Sequence, residues 1–195
     1  MTIAAAAANG HLFWITSRAA GTAALVLSSV SVGVGLLMGG KLLRRRTADL
    51  RIAHEALSLA TLLAIAVHGA ALLGDGYLRP SVLDVTVPFA TGYKTVWTTI
   101  GILAGWSLVL LGLSFYARAR IGQARWRSLH RFTALAWALG VVHSLGEGTD
   151  AGQTWFLGMT AAVVVPALLL LARRMWPAPA PPAVAPRPVR TDALR

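Results

Sequence analysis

The chain has 195 residues, of which 56% are hydrophobic and 13% charged, with a formal net charge of +11 and no cysteine. Without cysteine there is no disulfide, thiolate metal site, iron–sulfur cluster or thiol chemistry, so any bound metal has only nitrogen and oxygen to hold it. The basic balance does not indicate a nucleic-acid partner, because the arginines sit at the ends of long apolar runs, where they orient a membrane protein.

The first stretch, "MTIAAAAANGHLFWITSRAAG", has neither the basic start nor the early cleavage pattern of a secretory signal peptide. Residues 1–13 are therefore expected as an N-terminal extracytoplasmic segment and the first apolar run as a retained helix. Five stretches have about the 17–25 residues a bilayer crossing needs: Ile15–Met38, Ile52–Leu73, Val96–Tyr116, Leu129–Leu145 and Thr154–Ala172. "KLLRRRTADLR" follows the first, "ARARIGQARWR" the third, and Arg173 and Arg174 close the fifth, which marks these faces as cytoplasmic. The other two connections hold four of the seven acidic residues, with Arg79 and Lys94 as their only bases. The pattern predicts an all-α integral membrane protein of about five transmembrane helices, with the N-terminus outside and the C-terminus cytoplasmic. Residues 175–195, rich in proline and without apolar periodicity, are expected as a disordered cytoplasmic tail. No GxGxxG follows a strand and no GxxxxGK[ST] is present, so no nucleotide motif organises the chain.

The second and fourth stretches each carry two histidines: His54 and His68 in one, His130 and His143 in the other. A spacing of fourteen is nearly four whole turns, so His54 and His68 share one face of their helix, about 21 Å apart along its axis. Because both stretches run from inside to outside, His54 and His130 come near the inner surface and His68 and His143 near the outer one. Two facing imidazoles at each of two levels suit a pair of six-coordinate b-type haems sandwiched in a helix bundle. Zinc or copper fits less well, since a compact site wants ligands about a turn apart. An intramembrane histidine can also be a packing residue bonded to a neighbouring helix, but four at matched depth favour a functional site. The spacing of thirteen between His130 and His143 leaves them about 140° apart on an ideal helix. A kink or loosened end is therefore required there; Gly140, Gly146 and Gly148 are candidates for it, and His130 follows directly on an arginine-rich connection. His11 is unpaired and reads as a surface residue.

The spacings of fourteen and thirteen, with "YKTVWTTIGILAGWSLVLLGLS" and "RWRSLHRFTALAWALGVVHSLGEGTD", resemble the ferric reductase-like transmembrane family. That family includes ferric reductases, NADPH oxidases and the haem-binding subunit of bacterial methionine sulfoxide reductase. The resemblance covers residues 14–174 and implies a transmembrane haem-binding domain in a bacterial plasma membrane. It implies that His54 and His130 ligate an inner haem, and His68 and His143 an outer one. Full-length members append a cytoplasmic flavin and nicotinamide domain that has no counterpart here, and many have six spans rather than five. The electron donor is then expected to be separate: a cytoplasmic flavoprotein, with flavin supplied by that partner, or a membrane quinol.

Among the supporting residues, Arg18 lies about a turn inside the outer boundary of the first span, where it either snorkels or meets a haem propionate. Arg127 and Arg131 flank His130 and are candidate contacts for inner propionates, although the positive-inside pattern alone places arginines there. Glu55 is expected to pair with Arg51 at spacing four. Gly21, Gly33, Gly35 and Gly69 fit either close porphyrin approach or ordinary helix contacts. The apolar connection "VLDVTVPFATGYK" is expected to lie against the outer surface, and Trp97, Trp155 and Trp176 at span ends read as interfacial anchors.

The expectation is a membrane cytochrome b relaying electrons through two haems to an extracytoplasmic acceptor: ferric iron, oxygen or a partner reductase. No catalytic side chain is assigned, since the iron supplies the redox change. The alternatives are a haem-binding sensor or carrier without turnover, and a helix bundle that scaffolds partners.

Overall fold

A computed structural model of the chain describes residues 3–40 and 47–176, with side chains from His11 onward. The proline-rich tail and the basic run at 41–46 lie outside the described residues. Eight helices follow in order: α1 (Ile3–Gly39), α2 (Thr47–Leu73), α3 (Val82–Thr86), α4 (Thr95–Leu113), α5 (Arg118–Ile121), α6 (Gln123–His130), α7 (Thr133–Glu147) and α8 (Thr154–Met175). Among the described residues there is no strand. Helix α1 begins well before the first predicted span, because residues 3–8 are mostly alanine, the strongest helix former.

Among the described residues four helices are long and apolar enough to cross a membrane: those over His11–Gly39, Ala48–Leu73, Thr95–Leu113 and Thr154–Met175. The fourth expected span is not one helix. It is divided into α6 and α7 by a turn at Arg131 and Phe132, and α7 alone has 15 residues. At the turn the backbone bonds tighten to i→i+3, with Phe132 N donating to Leu129 O at 3.0 Å and Ala134 N to Arg131 O at 3.3 Å. Thr133 Oγ1 also donates to His130 O at 2.6 Å. A 3₁₀-like step turns about 120° per residue instead of about 100°, which advances His143 toward the face of His130. A break in the regular helix between the two histidines thus falls at Arg131–Phe132. It does not fall at Gly140, which lies within regular helix, or at Gly146 and Gly148 near the end of α7.

The interior is small and rich in hydroxyls. Leu25, Trp137, Phe156, Val164 and Ala167 form the buried apolar cluster, while Ser17, Ser28, Ser29, Ser31, Thr61, Thr99 and Thr160 are also buried. The large aliphatics Ile52, Leu63, Leu110 and Leu169 point outward. Such a distribution suits a chain solvated by hydrocarbon, where small hydroxylated residues let helices approach and bond. Trp137 is 1% exposed, and its Nε1 donates to Ser29 Oγ at 3.0 Å. Ser29 Oγ in turn donates to Leu25 O at 2.7 Å. Trp137→Ala is expected to destabilise the bundle by about 3–5 kcal/mol, and Trp137→Phe, which keeps most of the volume, by about 1 kcal/mol. Thermal melts followed by circular dichroism in detergent check both.

Helices α1 and α2 pack along much of their length, as do α4 and α7, and α8 lies against α1. By contrast, α2 makes at most slight backbone contact with α6 or α7. The two histidine-bearing elements therefore stand apart, with their side chains reaching across the gap.

Candidate functional site

The four histidines meet in two pairs across that gap. The rings of His54 and His130 have centroids 6.1 Å apart with planes at 88°, and those of His68 and His143 are 6.4 Å apart at 73°. The first pair lies toward the arginine-bearing turns, here called the arginine end. The second lies toward the long connection between α2 and α4, the loop end.

Three of the rings are held in the same way. His68 Nδ1 donates to Ser17 O at 2.8 Å, His54 Nδ1 to Ser31 O at 3.0 Å, and His143 Nδ1 to Trp97 O at 2.9 Å. A carbonyl can only accept, so the proton is on Nδ1 and the lone pair on Nε2. Four residues after each carbonyl stands a glycine whose missing side chain makes room for the ring. A Cβ on Gly21 would lie 3.0 Å from His68 Nδ1, one on Gly35 3.1 Å from His54 Cε1, and one on Gly101 2.5 Å from His143 Cε1 and Nδ1. Ser17 and Ser31 are fourteen apart on α1, matching the fourteen between the histidines they hold on antiparallel α2. This carbonyl-plus-glycine seat repeats as Ser17/Gly21, Ser31/Gly35 and Trp97/Gly101. In the sequence it is visible as "SRAAG", "SVGVG" and "WTTIG", but a small residue four places on is too common in membrane helices to single out unaided. Gly33 and Gly69, grouped with Gly21 and Gly35 on sequence grounds, face open space.

His130 differs. Leu111, fourteen residues after Trp97, supplies the corresponding carbonyl near the ring, but His130 Nδ1 is buried without a hydrogen bond. The position four further on is Phe115 instead of glycine. The ring is stacked on Trp126, with centroids 5.0 Å apart and planes at 28°.

At the loop end, His68 and His143 open into a cavity of about 970 Å³, walled by α1, α2, α4 and α7. The connection between α2 and α4 covers it, tied down by Trp106 Nε1 donating to Thr86 O at 2.8 Å and Phe89 N to Thr99 Oγ1 at 2.9 Å. Arg79, Phe89 and Lys94 sit at positive φ of 43°, 65° and 39°, each a strain of about 1–3 kcal/mol that the surrounding contacts hold in place. After α2, Asp75 closes a turn, its Oδ1 accepting from Tyr77 N at 2.7 Å and Leu78 N at 3.1 Å. On α7, burial raises the Glu147 carboxyl above its ordinary range, while Lys94 opposes the shift.

The supporting residues fall differently from expectation. Arg18 does line the cavity, but its guanidinium is committed to Asp150 through a bidentate ion pair, with Nε donating to Oδ2 at 3.1 Å, and lies 4.2 Å over the Trp14 ring. That ion pair neutralises the Arg18 charge within the chain. Glu55 is not paired with Arg51: Tyr116 donates its hydroxyl to Glu55 Oε1 at 2.9 Å, a contact between α2 and the turn after α4 that spacing along one helix cannot reveal. Arg127 and Arg131 are exposed beside His130. His11 is exposed and stacks on Trp14 at 5.5 Å. Trp97, Trp155 and Trp176 are all exposed near helix ends, and the Trp97 ring also covers Gly146.

Among the described residues no cluster of three or more histidine, aspartate or glutamate side chains is arranged to hold a metal ion, so the possible ligands come in twos. Comparison with protein-family models, curated proteins and solved structures finds no match to the chain.

Proposed function

We propose that the chain is a multi-pass membrane cytochrome b of the ferric reductase-like family, binding two b-type haems and carrying electrons across a bacterial plasma membrane. The observation that carries this is the spacing of the two histidine pairs. A metal held by two imidazole nitrogens at about 2 Å each puts the ring centres roughly 6 Å apart, and the pairs stand at 6.1 and 6.4 Å. Three supports add to it. The Nδ1 bonds to carbonyls leave the Nε2 lone pairs of His54, His68 and His143 free for a metal and fix the rings, as is usual behind ligating histidines. The gap between α2 and α7 gives a flat ligand room between the rings. The loop-end cavity of about 970 Å³ lies in the range of cofactor sites.

In this reading His54 and His130 hold one haem and His68 and His143 the other, and α6–α7 forms a fifth crossing. The N-terminus lies outside and the arginine end faces the cytoplasm. When bound, haem iron supplies the one-electron redox change. The chain's own residues hold the rings, fix their tautomers, exclude water with an apolar wall, and set the distance between the two levels. Arg127 and Arg131 are the cations available to propionates at the arginine end. A separate cytoplasmic flavoprotein or quinol is the donor, and ferric iron, oxygen or a partner reductase the acceptor beyond the loop end.

Haem per polypeptide, measured by pyridine haemochrome on detergent-purified protein together with a reduced-minus-oxidised spectrum, tests the proposal. About two low-spin b haems per chain are expected. A colourless protein after haem supplementation during expression would sink it and return the histidines to packing.

A further inference from the structure

Three of the four histidines are oriented by a carbonyl bonded to Nδ1 and a glycine under the ring; the fourth has Leu111 O near its ring but no hydrogen bond to it, and no glycine. His130 Nδ1 is buried without a partner, and Phe115 stands where the repeat has glycine. A ligating imidazole whose outer nitrogen is unbonded is free to swing about its side-chain torsions, and almost all such ligands avoid this by donating that N–H. What restrains His130 instead is the indole of Trp126, one turn earlier on α6, stacked at 5.0 Å and 28°. Trp126 is itself held by Phe115, edge to face at 5.9 Å, and Phe115 is flanked by Tyr116 at 5.2 Å and by the Arg118 guanidinium at 3.8 Å. Trp126 Nε1 is buried without a hydrogen bond, so the indole is set there by packing.

We infer that Trp126 is the positioning residue for His130, its stacking standing in for the hydrogen bond that Leu111 O does not make and for the glycine that Phe115 replaces. The inference rests on the proposed haem ligation. Phe115 is then no defect in the repeat but the support of its substitute: a glycine at 115 would leave the indole nothing to lean on. The two levels then differ in how their rings are seated: His68 and His143 by carbonyl bonds over glycine, His130 against an indole.

The two levels allow an internal control, because the loop-end pair shares the chain but not the indole. Trp126→Ala and Trp126→Phe are compared with wild type for haem per polypeptide, redox midpoints and low-temperature electron paramagnetic resonance of the oxidised protein. Trp126→Ala is expected to lose the arginine-end haem, or to shift its midpoint and its low-spin signal, with the loop-end signal unchanged; Trp126→Phe, which keeps an aromatic face, restores the wild-type pattern. Equal disturbance of both signals would mean a general structural role and overturns the inference, as does an alanine variant with both signals intact. A wild-type protein without b haem overturns the proposed function itself, and that result is read before any variant is made.

Discussion

Gly101→Ala is expected to remove the loop-end haem and leave the other in place, reducing haem content from about two per chain toward one. The added Cβ would lie 2.5 Å from His143 Cε1 and Nδ1, closer than any real Cβ contact, and the atoms it meets belong to the ligand ring. The ring cannot retreat easily, because its Nδ1 is bonded to Trp97 O at 2.9 Å on the same helix. Displacing a ligand by even about 1 Å is enough to disable a preorganised site. Gly33→Ala is the matched control, with nothing within 4 Å of the Cβ it would gain, and should keep full haem content; Gly69→Ala puts its methyl on the wall of the loop-end cavity and tests that space itself. Gly21→Ala and Gly35→Ala, with contacts of 3.0 and 3.1 Å, should fall between, because a shift of a few tenths of an ångström relieves them. Pyridine haemochrome on the series orders the glycines; equal haem in all five variants would show that the seats do not matter to ligation.

His54→Ala and His68→Ala should each bring the protein toward one haem per chain, and the double variant to none. Both substitutions lie on continuous α2, and alanine is a better helix former than histidine, so helix formation is not the variable. In the proposed ligation each single variant removes one axial ligand and leaves its partner ring, His130 or His143, with no opposite donor. Potentiometric titration then identifies the levels, since the midpoint that disappears with His68 belongs to the loop end. Unchanged absorbance in both single variants would favour histidines that only pack.

Some of this architecture follows from sequence pattern and some does not. The apolar runs mark the four long helices because hydropathy acts over a whole window and tolerates errors of a few residues at each end. The depth matching of the histidines follows from spacing, since fourteen residues is a nearly whole number of turns and α2 is unbroken. The turn at Arg131–Phe132 is not legible: neither residue is a helix breaker, and the thirteen-residue spacing says that a correction is needed without saying where. Glycine was one natural guess, yet Gly140 lies in regular helix, and three other glycines, Gly21, Gly35 and Gly101, make room for histidine rings. The partners of Arg18 and Glu55 are equally hidden. Asp150 is 132 residues from Arg18 and Tyr116 is 61 from Glu55, separations at which only the folded bundle decides who meets whom. The ring seats lie between these extremes, present in the sequence as a carbonyl position and a glycine four places on, but meaningful only once it is known which helix each one faces.

The turn between α6 and α7 also separates two duties that a straight helix would combine. Helix α2 is the ruler: it alone fixes the interval between the two levels, about 21 Å for its fourteen residues, and a one-residue insertion between His54 and His68 would lengthen that interval by about 1.5 Å and swing one ring by about 100°. The α6–α7 element is the follower, jointed at Arg131–Phe132, so that His130 and His143 each take their bearing from a separate rigid piece. Length tolerance in this chain is therefore concentrated at that joint, while the interval marked out by α2 admits none.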